Sequence, residues 1–179
     1  GVILGEHTDT LAKELIAAGA DTVYTAEDPG LSGYQPDAYI QLMLAAVAAA
    51  SPRIVLMGQS DTGKDLAPKL AFRLQAGLTM DTVDLSVDGD KLVATKPVYG
   101  GNARATYETA TPIQMATVRA KAFEALESDS GRQGTIVPLA VDIDPANLKV
   151  KVVEVRKEES TGMRLEDAPV VVSGGRGFG

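Results

Sequence analysis

Residues 52–74 read Pro-Arg-Ile-Val-Leu-Met-Gly-Gln-Ser-Asp-Thr-Gly-Lys-Asp-Leu-Ala-Pro-Lys-Leu-Ala-Phe-Arg-Leu. Arg53 to Met57 is a continuous apolar strand, of the kind buried on both faces of a parallel sheet. Gly58 to Gly63 is a loop. Leu66, Ala67, Leu70, Ala71 and Leu74 then recur at helical spacing on one face, and Pro68 is tolerated if it falls near the first turn. Upstream the same alternation repeats. Val2 to Leu4 is a short apolar run. Thr8 or Asp9 caps a helix carrying Leu11, Ala12, Leu15 and Ile16, with Gly19 as its stop. Asp21 to Ala26 reads as a strand. A loop through Pro29, Gly30, Gly33 and Pro36 leads to a helix with Tyr39, Leu42, Met43, Ala46, Val47 and Ala50 on one face, ended by Pro52. This β-α-β-α-β-α order predicts right-handed crossovers and a parallel sheet.

Downstream the pattern changes. Asp81–Val87 and Lys91–Val98 flank Asp88-Gly89, a two-residue hairpin signal. Gly100-Gly101-Asn102 marks a further turn, before strands at Ala103–Thr109 and Ile113–Val118. With no helices between them, these strands predict an antiparallel addition, and no helix is expected between Asp84 and Val98. The fold class is therefore α/β: a Rossmann-like three-layer domain with a mainly parallel sheet and added antiparallel strands. Glu127 to Gly134 is a polar loop, Val150–Val155 alternates as a strand, and Arg156–Pro169 has linker composition. Val170-Val171-Val172 opens a new strand that Ser173 to Gly179 leaves. The domains are drawn as 1–163 and 164–179. The chain reads as a piece of a longer, cytosolic-type protein.

Composition narrows the function. Of 179 residues, 45% are hydrophobic but only 4% aromatic, so the core is aliphatic. The absence of Cys removes thiol nucleophiles, disulfides and iron–sulfur ligation, and a single His, His7, removes a His-rich metal site. A net charge of −7 and no basic patch argue against nucleic acid. No apolar run approaches the ~20 residues of a membrane span.

Few residues suggest chemistry. Gly58-Gln-Ser-Asp-Thr-Gly63-Lys64-Asp65 follows a strand and opens a helix, like a phosphate-binding loop, but Asp65 stands where a Ser or Thr hydroxyl would ligate magnesium. A capped helix start is the better reading, and a nucleotide-binding or nucleotide-hydrolysing enzyme is the alternative function. Ser173-Gly174-Gly175-Arg176-Gly177 would let a backbone approach a ligand while Arg176 pairs with a phosphate. His7 lies at the carboxyl end of the first strand, where open α/β sheets bind ligands, and Arg119 follows another strand. The carboxylates form no acid/base pair, so no catalytic residue and no metal ligand is assigned.

Gly58-x-x-x-x-Gly63-Lys64-Asp65-Leu66-Ala67-Pro68-x-Leu70-Ala71, Tyr99-Gly100-Gly101-Asn102-Ala103, Met115-Ala116-Thr117-Val118-Arg119 and Val170-Val171-Val172-Ser173-Gly174-Gly175-Arg176-Gly177 resemble, in order and spacing, the alpha subunit of electron transfer flavoprotein. Ala20-Asp21-x-Val23-Tyr24 with Asp28-Pro29 adds to it. The resemblance covers nearly the whole chain. It implies a Rossmann-like N-terminal domain, a beta-subunit partner and a C-terminal domain holding FAD, which carries electrons between a dehydrogenase, such as an acyl-CoA dehydrogenase, and a further acceptor. It implies an electron carrier rather than an enzyme, working in a bacterial or archaeal cytoplasm rather than the mitochondrial matrix. It assigns Arg176, with Ser173, Gly175 and Gly177, to cofactor binding. Most of the family's other FAD motifs would lie beyond Gly179, and its first strand and helix before Gly1. FAD is thus expected of the intact subunit and not of this segment alone.

Overall fold

Six elements alternate through the first part of the chain: β1 (Val2–Gly5), α1 (Thr8–Ala17), β2 (Thr22–Glu27), α2 (Pro36–Ala50), β3 (Ile54–Gly58) and α3 (Asp61–Leu74). The structure, a computed structural model, describes residues 1–140 and, beyond them, 143, 146, 148–150, 152–154, 156, 162–163 and 165–178. Strands β4 (Gly77–Thr82), β5 (Asp84–Asp88), β6 (Lys91–Val98), β7 (Ala103–Glu108), β8 (Gln114–Val118) and β9 (Thr135–Pro138) follow. They form three three-stranded sheets, ordered β1-β2-β9, β3-β8-β4 and β5-β6-β7. The first two are parallel and the third antiparallel. The α/β class and the antiparallel addition stand as expected, and no helix lies between Asp84 and Val98.

Several details depart from the sequence reading. The parallel strands are divided between two sheets, since β1 and β3 share no ladder. Ile113–Val118 was expected in the antiparallel part. Instead β8 runs parallel between β3 and β4, with Met115 opposite Val55 on one side and Leu78 on the other. Gln114 to Thr117 are all buried, which suits a central parallel strand covered on both faces better than a hairpin arm. The expected hairpin arm beginning at Asp81 is also corrected: β4 starts at Gly77 in the parallel sheet. The chain changes sheets after Thr82; Asp81 adopts φ 63° within a register shift between Thr79 and Thr82. Such a bulge bends a strand and disrupts its ladder locally. The hairpin turn is Gly89-Asp90 rather than Asp88-Gly89, because Asp88 pairs with Lys91. Gly89 takes φ 56° there, a conformation glycine adopts without a steric cost.

The helix ends show local causes. Neither Thr8 nor Asp9 caps α1; the cap position is His7, at φ 54°, and its side chain makes no capping bond. The first-turn N–H of the buried Thr8 is satisfied from β2, donating to Glu27 Oε2 at 3.1 Å. Gln35 caps α2 by accepting the Ala38 N–H at 2.7 Å, and Ser60 caps α3 by accepting the Gly63 N–H at 3.1 Å. With α3 starting at Asp61, Pro68 falls in the helix interior and not near the first turn. It costs the hydrogen bond that the Lys64 carbonyl would accept. Both residues lie on the exposed side, where water can take that place.

Three apolar clusters join the layers. Ile40 and Met43 of α2, Leu66 and Leu70 of α3, Val55 and Met115 form the main one. Ala26, Leu31, Ala38 and Leu42 form a second, and Ala12, Ile16 and Val23 a third. β9 was not anticipated; it extends the first sheet beside β2. Of the expected strand Val150–Val155, residues 151 and 155 lie outside the described residues, and the described ones carry no strand. In the expected linker, residues 157–161 and 164 lie outside them. The expected strand Val170–Val172 is not formed. A strand needs a neighbouring edge, and these three valines, 77%, 53% and 94% exposed, join no sheet.

Candidate functional site

The carboxyl ends of β3 and β8 come together, since Gly58 pairs with Val118. Gly58 to Asp65 lies there as a packed corner. Gly63 is buried against β3: a Cβ on it would sit 3.0 Å from the Gly58 carbonyl carbon and closer still to its oxygen. The second glycine is therefore needed for helix–strand approach. Lys64 Nζ turns back on Asp61 at 3.4 Å. Asp65 accepts a hydrogen bond from Tyr34 Oη at 2.7 Å and pairs with Lys69. The Lys69 ammonium, then the Tyr34 hydroxyl, hold the Asp65 carboxyl below its usual range. Burial, then Asp65, pushes the Tyr34 phenol up. With Ser60 capping the helix and Asp65 engaged, the loop is a structural corner and supplies no magnesium-ligating hydroxyl after Lys64.

A polar network crosses the same edge. Thr117 Oγ1 donates to Gln59 Oε1 and accepts the Asp81 N–H at 2.9 Å, and Thr82 Oγ1 donates to the Thr117 carbonyl at 2.9 Å. Thr82 and Thr117 are wholly buried. Arg119 closes the network with a bidentate pair to Asp81, Nε to Oδ1 at 2.9 Å and Nη2 to Oδ2 at 2.7 Å. The guanidinium holds the Asp81 carboxyl below its usual range. The pair holds Asp81 in its left-handed conformation, so Arg119 is engaged with the fold. The buried Gln114 accepts the Leu92 N–H at 2.6 Å and donates to the Asp90 carbonyl at 2.7 Å, joining β8 to the hairpin. Sequence reasoning did not find Gln59, Thr82 and Thr117, because single polar residues in strands carry no spacing signal.

His7 sits exposed after β1, as predicted. Its neighbour Glu27 is turned to α1: the Thr8 N–H, then the Thr8 hydroxyl, hold the Glu27 carboxyl below its usual range. Among the described residues no group of three or more His, Asp or Glu gathers as a metal would require, and no helix is long and apolar enough to cross a membrane.

Ser173, Gly175, Arg176 and Gly177 lie in one five-residue run and are all exposed, with Arg176 opening a 3-10 turn to Phe178. Nothing lies within 4 Å of where a Cβ would stand on Gly175 or Gly177. A guanidinium beside two unobstructed backbone segments fits an anionic edge such as a pyrophosphate. Four exposed residues do not enclose a flat aromatic ring system, which requires a largely buried pocket.

The sequence model for the electron transfer flavoprotein domain matches residues 1–144. The electron transfer flavoprotein subunit alpha of Bacillus subtilis is 41% identical over 177 residues, 99% of this chain and 54% of that protein. The subunit alpha of Megasphaera elsdenii is 38% identical over 182 residues, 99% of this chain and 53% of that protein. The acryloyl-CoA reductase electron transfer subunit beta of Anaerotignum propionicum is 31% identical over 206 residues, 99% of this chain and 56% of its own length. The chain spans about half the length of the curated relatives it matches.

Proposed function

The chain belongs to the electron transfer flavoprotein family, and from that premise we propose that residues 1–163 are the structural and partner-binding part of an electron-carrier flavoprotein subunit, with residues 164–179 the linker and opening segment of its flavin domain. In this reading the subunit works in the cytoplasm with a beta subunit, between a dehydrogenase such as an acyl-CoA dehydrogenase and a further acceptor. It transfers electrons and transforms no substrate itself. The observation that carries the reading is the likeness over 99% of the chain to relatives named for electron transfer.

The cofactor in this reading is FAD, which when bound takes up and releases the electrons; the protein contributes binding and tuning. Arg176 would pair with the pyrophosphate, Gly175 and Gly177 would let the backbone come close, and the Ser173 hydroxyl would add a hydrogen bond. Being exposed, these residues hold one edge and leave the ring to other parts of the assembly. The test is flavin retention on desalting. Residues 1–179 alone are expected to lose added FAD, and the full-length subunit with its beta subunit to keep it. A heterodimer that releases FAD as freely as residues 1–179 would overturn the reading.

A further inference from the structure

Helices α2 and α3 pack on one cluster, through Ile40 and Met43 of the first and Leu66 and Leu70 of the second. Along the seam between them runs an open groove of about 440 Å³. Ile40 and Leu44 of α2 and Phe72 of α3 give it an apolar strip. Lys69 and Arg73 of α3, and Lys149 from the segment after β9, give it cations. On each helix these residues stand three or four positions apart, so each set forms one stripe. Phe72 is 82% exposed. Its neighbours Leu70 and Ala71 are buried, so the ring stands out from a helix face that otherwise serves the core.

The chain carries 24 acidic against 17 basic side chains, yet cations outnumber carboxylates here. Lys69 is paired with Asp65. The side chains of Arg73 and Lys149 have no hydrogen-bond or ion-pair partner among the described residues. Lys149 is placed through its backbone. Its N–H donates to Asp37 Oδ2 at 2.7 Å, and Gln35 Nε2 donates to the next carbonyl, that of Val150, at 2.6 Å. Gln35 is itself buried, and its Oε1 caps α2, so the clamp is anchored in the fold. Asp37, the one carboxylate lining the groove, is thereby turned to a backbone N–H, and the Lys149 ammonium is left to solvent.

We propose that this seam is a docking site for an acidic amphipathic helix of a third protein, which lays apolar side chains on Phe72 and Leu44 and sets carboxylates against Arg73 and Lys149. Charge complementarity selects the occupant: two unpaired cations beside an exposed ring, on a chain of net charge −7, suit a partner that is acidic and apolar at once. The length agrees. From Asp37 to Leu44 the groove runs about 10 Å at 1.5 Å per residue, two turns of a facing helix. An apolar stripe in a groove between helices is a common way to hold such a segment. A small anion would meet the cations and leave Phe72 in water, and so open a groove does not enclose a small ligand. The inference rests on the groove alone and is independent of the flavin.

The test uses the full-length subunit with its beta subunit, carrying a photoreactive benzophenone side chain in place of Phe72. The cells are irradiated and the crosslinked peptide is sequenced by mass spectrometry. The expected adduct is an acidic segment of a third protein with apolar residues at helical spacing. A synthetic peptide of that segment is then titrated against the unlabelled heterodimer. Arg73→Glu combined with Lys149→Glu should weaken binding at least ~10-fold, because like charges facing each other cost several kcal/mol. Arg73→Lys should retain binding, and added salt should weaken it. Both positions are exposed and the clamp uses only the Lys149 backbone, so the variants should melt as wild type does. No adduct, an adduct to the beta subunit or to a second copy of this chain, or a crosslinked segment without an acidic excess would overturn the proposal. So would peptide binding that the charge reversal leaves unchanged.

Discussion

Gly63→Ala is expected to destabilise the protein, against the ordinary direction of a glycine-to-alanine change in a helix. Helix propensity alone favours alanine by roughly 0.5–1 kcal/mol. Here the added methyl would sit 3.0 Å from the Gly58 carbonyl carbon and nearer to its oxygen. The obstacle is backbone, held in the ladder between β3 and β8, so it cannot swing aside as a side chain would. Relief requires α3 to move away from β3, which loosens Leu66 and Leu70 from the cluster they share with Val55 and Met115. Overpacking of this kind costs roughly 1–3 kcal/mol, and the propensity gain offsets only part of the upper range. The net loss of about 2 kcal/mol corresponds to roughly 4–8 °C in Tm for a chain of this size. Thermal unfolding followed by far-UV circular dichroism measures it. Gly58→Ala is the control, since nothing lies within 4 Å of its Cβ position, and it should melt close to wild type. A Gly63→Ala protein as stable as wild type would refute close helix–strand approach as the reason for the glycine.

The Arg119 guanidinium holds the folded Asp81 carboxyl below the usual 3.8, so the folded state binds acid protons less readily than the unfolded chain. The pair's stabilisation is whole above about pH 4 and is lost as pH falls through the folded value. Asp81→Asn, which tolerates φ 63°, should lower Tm at neutral pH, with the difference from wild type narrowing as pH falls below 3.8; parallel curves would contradict this. Titration calorimetry with ATP and magnesium should show no binding to wild type or Lys64→Ala, and micromolar binding lost in the variant would restore the phosphate-loop alternative. In the heterodimer, Arg176→Ala should weaken FAD roughly 10- to 100-fold, as loss of one charge-assisted contact does. Unchanged retention would show that Arg176 does not hold the cofactor.

Periodicity located all three helices, because Leu66, Leu70 and their counterparts repeat at a spacing only a helix satisfies. It could not choose ladder partners. Gln-Met-Ala-Thr-Val at 114–118 looks the same as a hairpin arm or a central parallel strand; burial on both sides by residues some sixty and thirty-five positions away decides it. β4 was obscured by Asp81 and Thr82, whose polar groups are satisfied or paired by Thr117 and Arg119 only in the fold. The four-residue β9, ending in Pro138, is too short to stand out. At the candidate site, Asp65 already argued against a magnesium-binding loop, but the contact between Gly63 and Gly58 is a property of packing. Ser173 to Gly177 is legible only through the family resemblance, since one arginine among glycines carries little chemical specificity of its own.

The account depends most directly on whether the full-length subunit, expressed with its beta subunit, is an electron-carrying flavoprotein. Its absorbance spectrum after desalting, recorded before and after addition of a substrate-reduced dehydrogenase, tests that in one experiment. The account predicts flavin bands that survive desalting and bleach on reduction. A colourless heterodimer, or flavin bands that no dehydrogenase bleaches although dithionite does, would contradict it.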